Sequence, residues 1–238
     1  MGYRRHRLDG IVRILITGAG GFVGRTLTTH LRLEQPEAEI HGTQLPGVHE
    51  PAVEDITCHR LDLCDAGAVN ALIAEVRPDQ IYHLAGQAFV PRSFEDPWET
   101  LENNIRGQLN LILACINAEL RPRFLIAGSA EIYGAVTQVP TNEDAPLRPS
   151  SPYSVSKVTQ DLLGFQYHAS HGMPILRARA FNHFGPGQSD RFAAPAFAMQ
   201  IARIEAGLQP PIMKVGDLTT KRDFTDVRDV VRAYRLLV

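Results

Sequence analysis

The sequence is poor in cysteine and has no long apolar run. Its three cysteines, Cys58, Cys64 and Cys115, form no C-x-x-C pair, which excludes a zinc finger or a disulfide framework and favours a reducing compartment. No apolar run approaches the ~18 residues of a membrane span. The basic residues 1–10 lead into no apolar stretch typical of a secretory signal. We therefore expect a disordered leader at 1–10 and a cytoplasmic protein that does not enter a membrane.

An excess of charge of one sign is also lacking. Lys and Arg total 24 and Asp and Glu total 26, a net charge of -2, which argues against a nucleic-acid or anionic-membrane partner recognised by bulk charge. The motifs G-x-x-x-x-G-K-[ST], G-x-S-x-G and H-E-x-x-H are absent, which argues against P-loop, serine-hydrolase and zinc-protease chemistry. No metal site is expected. The length of 238 residues and the 44% hydrophobic content fit a globular protein with a continuous core.

Short apolar strands alternate with helices along the chain. Periodicity predicts strands at 11–17, 39–44, 56–62, 80–85, 124–127 and 175–181, and helices that begin at Phe22 and cover 66–76, 100–120 and 153–168. This alternation is typical of a parallel sheet covered by helices on both faces. Prolines become frequent after residue 184, around a predicted helix at 197–206, a short strand at 212–215 and an amphipathic helix at 228–238. We expect a main domain at 11–184 and the start of a second lobe at 185–238.

Glycines follow the first strand at a fixed spacing. Residues 17–24 read TGAGGFVG, with Gly18, Gly21 and Gly24 between strand and helix. In that context the first glycine permits a tight turn, the second lets a pyrophosphate approach the backbone, and the third packs the helix against the strand. Backbone N–H groups there, with those of Phe22 and Val23, would receive the phosphate charge. The pattern predicts a Rossmann-type doubly wound parallel sheet that binds a dinucleotide; a glycine-rich turn without a ligand is the alternative.

A carboxylate is missing where it would select NAD. The second strand ends in residues 41–46, HGTQLP, without the acid that would bind the ribose 2′-hydroxyl and repel a 2′-phosphate. The inference is NADP(H), or tolerance of both NADP(H) and NAD(H), with a lean to NADP(H). Arg25 is a candidate 2′-phosphate partner or an ordinary exposed arginine. Asp62 and Leu63, after the third strand, are placed to touch the adenine, although Asp62 is also a plausible turn residue.

Tyr153 and Lys157 lie four residues apart at the start of a helix, so their side chains share one face. A neighbouring ammonium group lowers the pKa of a phenol, which then exchanges a proton with a substrate oxygen more easily. Alone, the pair could be an ordinary surface pair. Ser129, at the end of the fifth strand, would join it at the carboxyl edge of the sheet and hydrogen-bond a carbonyl under reduction.

Together these motifs resemble the extended short-chain dehydrogenase/reductase family, within it the nucleotide-sugar enzymes. Further blocks carry the resemblance: residues 83–87 (HLAGQ), 103–107 (NNIRG), 129–134 (SAEIYG) and 179–188 (RAFNHFGPGQ). The resemblance implies that Tyr153 is the catalytic acid/base, that Lys157 is its pKa-lowering and ribose-binding partner, and that Ser129 polarises the carbonyl. It places six further residues at the cofactor or the sugar diphosphate, namely Leu84, Ala85, Gly86 and Phe181 for the former and Asn182 and Arg222 for the latter. A salt bridge to Asp223 or Asp226 is the alternative for Arg222. Asn104 would support the site residues without touching a ligand itself.

Residues 181–188 and 221–229 resemble more narrowly the branch that reduces GDP-linked 4-keto-6-deoxyhexoses. The expected reaction is NAD(P)H-dependent reduction of the 4-keto group, of the type that converts GDP-4-keto-6-deoxymannose to GDP-D-rhamnose. Ala130 supports reduction, because the resembled dehydratases carry a polar residue there to handle a proton; Glu131 would then orient the sugar. The alternatives are a 4,6-dehydratase or 4-epimerase with tightly bound NAD+, and a non-catalytic dinucleotide-binding protein.

Two expectations rest on the resemblance alone. The helices predicted at 100–120 and 153–168 occupy the places where the family forms a four-helix dimer contact, so a homodimer is expected. The family continues for several tens of residues beyond the position matched by Val238, so we expect the sugar-binding lobe to be incomplete in this sequence.

Overall fold

The structure is a computed structural model that describes residues 10–48, 53–136 and 138–238. Residues 1–9 of the predicted leader lie outside the described residues. The main sheet has six parallel strands in the order β3-β2-β1-β4-β5-β6. In chain order these are β1 (Arg13–Thr17), β2 (Glu39–Gln44), β3 (Thr57–Arg60), β4 (Gln80–His83), β5 (Arg123–Ala127) and β6 (Ile175–Ala178).

Helices cover both faces of this sheet. These are α1 (Phe22–Glu34), α2 (Ala66–Val76), α4 (Pro97–Asn117), α5 (Pro152–His171) and α7 (Val227–Leu237). Two further helices, α3 (Val90–Glu95) and α6 (Ala193–Glu205), lie outside these layers. Because successive strand side chains alternate between faces, Ile14 and Ile16 pack towards α1 and α7, whereas Leu15 packs towards α2 and α4. Both clusters are buried. The parallel strand order and the helices on both faces confirm the sequence prediction of a Rossmann-type doubly wound parallel sheet.

Residues beyond β6 form a small second sheet of two parallel strands, β7 (Asn182–Phe184) and β8 (Phe224–Asp226). Helix α6 has no buried residue, whereas α7 returns to the main sheet and packs on α1. Part of the segment assigned to the second lobe therefore lies in the main core, and the domain boundary at 184 stays a prediction. Among the described residues, no helix combines the length and apolar character that a membrane crossing requires.

Some predicted elements differ from the structure. The strand expected at 212–215 does not form, because the side-chain amide of Gln200 takes both backbone groups of Lys214, at 3.0 and 2.7 Å. The strand expected at 175–181 ends at Ala178, and that at 56–62 covers only Thr57–Arg60. Helix α4 begins at Pro97, three residues early, because the Asp96 carboxylate caps it by accepting from the Glu99 N–H at 3.0 Å.

Candidate active site

The glycine loop lies against the end of β4. Gly18 has a φ of +69°, which favours glycine, and a Cβ added there would lie 3.0 Å from the Ala85 Cα. The Ala85 N–H donates to the Thr17 hydroxyl at 3.2 Å. Residues 18–24 and 84–86, both predicted for the cofactor, are therefore brought together at the carboxyl edge of the sheet.

The start of α1 differs from the other long helices of the main sheet. Asp65, Asp96, Ser151 and Asp226 cap α2, α4, α5 and α7 through side-chain oxygens. Gly21 caps α1 with no side-chain hydrogen bond, and the first turn of α1 carries no acidic residue. Its first backbone N–H groups and its positive dipole end are left for an anion. This arrangement fits the pyrophosphate of a dinucleotide.

The residues predicted for the adenosine half follow the ends of β2 and β3. The Thr43 carbonyl accepts from the Ala19 N–H at 3.1 Å, and the last residue of β2 is Gln44 rather than an acid. Asp62 accepts from the Cys64 N–H at 2.8 Å and so shapes the turn after β3. Leu63 lies under α4, where its carbonyl accepts from the Asn110 amide at 2.8 Å.

Arg25 has partners that the sequence did not predict. Its guanidinium donates to the carbonyl oxygens of Gly20 and Gly187, each at 3.1 Å. The Phe22 ring also stacks with His183, with centroids 6.2 Å apart. Arg25 and Phe22 thus link the glycine loop to residues 183–187, and a 2′-phosphate would compete with the Gly187 carbonyl for Arg25.

Ser129, Tyr153 and Lys157 converge beyond β5. Tyr153 is 8% exposed and Lys157 7% exposed, and the Lys157 Nζ lies 5.9 Å from the centre of the Tyr153 ring. Tyr153 hydrogen-bonds with Ser129, which also caps the 3-10 helix Ala130–Tyr133 by accepting from the Glu131 N–H at 3.2 Å. The three residues predicted for catalysis are therefore adjacent.

The expected lowering of the Tyr153 pKa by Lys157 is wrong for this structure. Burial raises the pKa of Tyr153, the hydrogen bond with Ser129 opposes that rise, and the Glu131 carboxylate adds to it. Lys157 instead donates to the Ala127 carbonyl at 3.0 Å, and burial lowers the pKa of Lys157 to about 8. Tyr153 therefore holds its proton at neutral pH.

Comparisons with known proteins identify the family of this chain. A family model described as GDP-mannose 4,6 dehydratase matches residues 15–238. GDP-6-deoxy-D-mannose reductase of Pseudomonas aeruginosa is 38% identical over 228 residues, which cover 95% of this chain and 70% of the relative. The chain belongs to the extended short-chain dehydrogenase/reductase family.

Other members of the family catalyse different reactions. A dTDP-glucose 4,6-dehydratase of an Actinoplanes species is 31% identical over 94% of this chain and 72% of its own length. A structure of RMD from Pseudomonas aeruginosa, complexed with NADPH, has a TM-score of 0.81 and 38% identity over 95% of this chain and 72% of that one. A UDP-glucose 4-epimerase of Thermus thermophilus, in complex with NAD, has a TM-score of 0.83 and 30% identity over 94% and 74% of the two chains. The family supports enzymatic activity with a nicotinamide dinucleotide, without fixing the reaction.

A buried polar network supports the site, and sequence reasoning missed most of it. His83 bonds through Nδ1 to the Thr17 hydroxyl at 2.8 Å and faces the Gln160 amide at 3.4 Å. Asn104 donates to the Ser156 hydroxyl at 2.9 Å and accepts from the Gln87 N–H at 2.8 Å. Burial lowers the pKa of His83 to about 3, so this histidine is neutral. The only available signal was an unusual set of polar residues inside apolar elements.

Two of the residues predicted for the substrate, Asn182 and Arg222, lie in or next to the small second sheet. Asn182 is exposed on β7 and pairs in register with Phe224 of β8, two residues after Arg222. The Arg222 guanidinium donates to the Lys221 carbonyl at 2.9 Å, whereas Asp226 pairs with Arg228 at 2.7 Å. Asn182 thus lies in the two-stranded sheet, whereas Arg222 precedes its strand β8 by two residues. Both stay predictions as substrate ligands.

Burial of Lys157 predicts a pH-dependent stability difference. In the cofactor-free protein, the free energy of unfolding should rise relative to that of Lys157→Met between pH 7 and 10, by up to about 3 kcal/mol. Above a folded-state pKa of about 8 the native side chain is neutral, whereas the unfolded chain keeps its proton up to its ordinary value of 10.5. Urea unfolding at several pH values measures this difference. Exposed Lys214→Met is the control, and a difference that does not change with pH would contradict the prediction.

Proposed function

We propose that this protein reduces the 4-keto group of a GDP-linked 4-keto-6-deoxyhexose with NADPH, in the manner of a GDP-4-keto-6-deoxymannose reductase that forms GDP-D-rhamnose. The observation that carries this proposal is the donor pair of Tyr153 and Ser129, a buried phenol that keeps its proton beside a hydroxyl group. The 38% identity to a GDP-6-deoxy-D-mannose reductase supports the substrate class.

Ser129, Tyr153 and Lys157 have different roles in the proposed reaction. A bound nicotinamide supplies the hydride for the carbonyl carbon. Ser129 donates a hydrogen bond to the carbonyl oxygen and polarises it, and Tyr153 donates the proton that this oxygen needs as it becomes a hydroxyl. Lys157, held by the Ala127 carbonyl, would bind the cofactor ribose.

The remaining predicted residues would bind the two ligands. Residues 84–86 and Phe181 would line the cofactor, Glu131 would orient the sugar, and Asn182 and Arg222 would hold its diphosphate, for which a guanidinium fork is suited. NADP(H) is the proposed cofactor because Gln44 ends β2 without a carboxylate. Dissociation constants for NADPH and NADH test this preference, and tighter binding of NADH would contradict it.

A 4,6-dehydratase or 4-epimerase is the second candidate, because the Glu131 carboxylate acts electrostatically on Tyr153 and the matching family model is described as a dehydratase. The two candidates differ in their use of cofactor. Such a dehydratase or epimerase keeps NAD+ bound and needs no reductant, whereas a reductase consumes NADPH in proportion to product.

One assay distinguishes these candidates. The purified protein is given GDP-4-keto-6-deoxymannose with NADPH, and the fall in NADPH absorbance and the product are followed together. Oxidation of NADPH with formation of a GDP-6-deoxyhexose is expected. Bound NAD+ in the protein as purified, with turnover of an NDP-hexose without added NADPH, would reject the reductase.

We also propose that the protein forms a homodimer through α4 and α5. Several apolar side chains of these helices are exposed, among them Trp98, Leu113, Val155, Leu162 and Phe165. Burial of such a patch in a partner's matching surface would remove apolar area from water.

Light scattering after gel filtration tests the dimer. Leu162→Glu should convert a dimer into a monomer, because it places a charge in the apolar contact. Leu33→Glu, at an exposed leucine of α1, is the matched control and should leave the dimer intact. A monomeric parent protein, or equal effects of the two variants, would reject the proposed contact.

A further inference from the structure

A buried carboxylate on α5 binds two arginines of the neighbouring strand region. Asp161 is 2% exposed and accepts from the Arg177 guanidinium at 2.7 Å. It also accepts two hydrogen bonds from Arg179, at 2.9 and 3.0 Å, one on each carboxylate oxygen. The second pair is the two-pronged geometry that a guanidinium offers and an ammonium group does not.

The two arginines differ in what else they contact. Arg179 donates to the Tyr133 hydroxyl at 3.0 Å and to the Glu143 carbonyl at 2.6 Å, and its guanidinium lies 5.6 Å from the Tyr133 ring centre. Arg177 instead lies over the Phe165 ring of α5, at 5.3 Å. Arg179 therefore links α5 to two further segments, whereas both of these contacts of Arg177 are with side chains of α5.

One of these two segments, the one that holds Tyr133, adjoins the catalytic residues. Tyr133 ends the 3-10 helix Ala130–Tyr133, which Ser129 caps and in which Glu131 lies. Asp161 is one helical turn after Lys157 on α5. A rigid link from Asp161 through Arg179 to Tyr133 thus fixes the short 3-10 helix relative to the helix that carries Tyr153.

We propose that Arg179, oriented by Asp161, is a positioning residue that holds Ser129 at Tyr153 and thereby sets where the substrate carbonyl is received. This inference rests on the proposed reductase function and adds to it a residue that touches neither substrate nor cofactor. A displacement of about 1 Å at reacting groups costs up to about 100-fold in rate, so a positioning defect is measurable.

The test compares two arginine variants that remove a partner from the same carboxylate. Arg179→Met should lower kcat by about 10- to 100-fold, while the dissociation constant of NADPH changes less than about twofold. Arg177→Met should lower Tm, yet keep kcat within about twofold of the parent. Arg179→Lys keeps the positive charge but cannot form the two parallel hydrogen bonds to Asp161, so it should show most of the kcat loss. The same variant replaces Arg179→Met in the test if Arg179→Met does not fold.

A second readout does not depend on catalysis. Ser129 and Glu131 act on the pKa of Tyr153, and the other titratable groups that interact with Tyr153 are Lys157 and Tyr234. Ultraviolet absorbance reports phenolate formation, and the difference from the same background carrying Tyr153→Phe isolates Tyr153. The pKa of Tyr153 should rise in Arg179→Lys, because the Ser129 hydrogen bond that lowers it is lost, and should stay unchanged in Arg177→Met.

The outcomes separate this inference from the proposed function. An inactive parent protein in the reductase assay rejects the proposed function, and the Tyr153 titration then decides the positioning role by itself. Equal changes in kcat and in the Tyr153 pKa for the Arg177 and Arg179 variants would mean that the cluster serves stability alone, and would overturn the inference.

Discussion

Tyr153→Phe should lower kcat for the reduction by about 10²- to 10⁴-fold, the range that a positioned proton donor contributes. The substitution removes one oxygen atom from a ring that stays buried, so packing is kept. Cofactor affinity should change little, since the glycine loop is untouched. Initial rates with GDP-4-keto-6-deoxymannose and fluorescence titration with NADPH measure the two effects separately.

Tyr167→Phe is the matched control for this variant. Tyr167 lies on the same helix α5, but its ring packs with His171 near the other end, with centroids 5.2 Å apart. Its loss of a hydroxyl should leave kcat unchanged. Full activity of Tyr153→Phe would show that another group delivers the proton, and would revive a dinucleotide-binding role without this catalytic residue.

Gly24→Ala should weaken or abolish dinucleotide binding. A Cβ at position 24 would lie 2.7 Å from the Ala19 carbonyl oxygen and even closer to that of Gly18, and both are backbone atoms that no rotamer change can move. Helix α1 must then shift away from the glycine loop. We expect NADPH affinity to fall by at least about tenfold, and stability to fall by about 1–3 kcal/mol, as for overpacked cores.

Gly67→Ala offers the comparison. Gly67 lies in the first turn of α2, where an added Cβ would meet only the Asp65 carboxylate, at 3.3 Å. Stability and NADPH affinity should both stay near those of the parent. Calorimetric titration with NADPH measures affinity for both variants, and tight binding by a folded Gly24→Ala protein would contradict the role assigned to close packing at the loop.

The parts of the site that the sequence predicted correctly depend on short-range geometry. The turn at Gly18 needs a positive φ, and Tyr153 and Lys157 share a face because they are four residues apart on a helix. Short apolar runs indicate buried strands, so the six main strands could be predicted from their own residues. Such features need no knowledge of the rest of the chain.

The parts that the sequence missed depend on contacts between distant segments. Asp161 and Arg179 are 18 residues apart, and only the packing of α5 beside β6 brings them into contact. The apolar run at 212–215 suits a strand locally, yet its backbone is bound by Gln200 instead. Likewise, Lys157 is close enough to stabilise a phenolate by spacing, but the Ala127 carbonyl holds its ammonium group.

The return of α7 to the main sheet bears on the order of folding. Val227, Val231 and Tyr234 complete the cluster that buries Ile14 and Ile16, and Arg235 pairs with Glu34 of α1 at 3.3 Å. As the chain leaves the ribosome, β1 and α1 emerge some two hundred residues before α7. The apolar face between them therefore stays open to water until residues 227–237 arrive, which makes its closure a late, non-local step that exposes the nascent chain to aggregation.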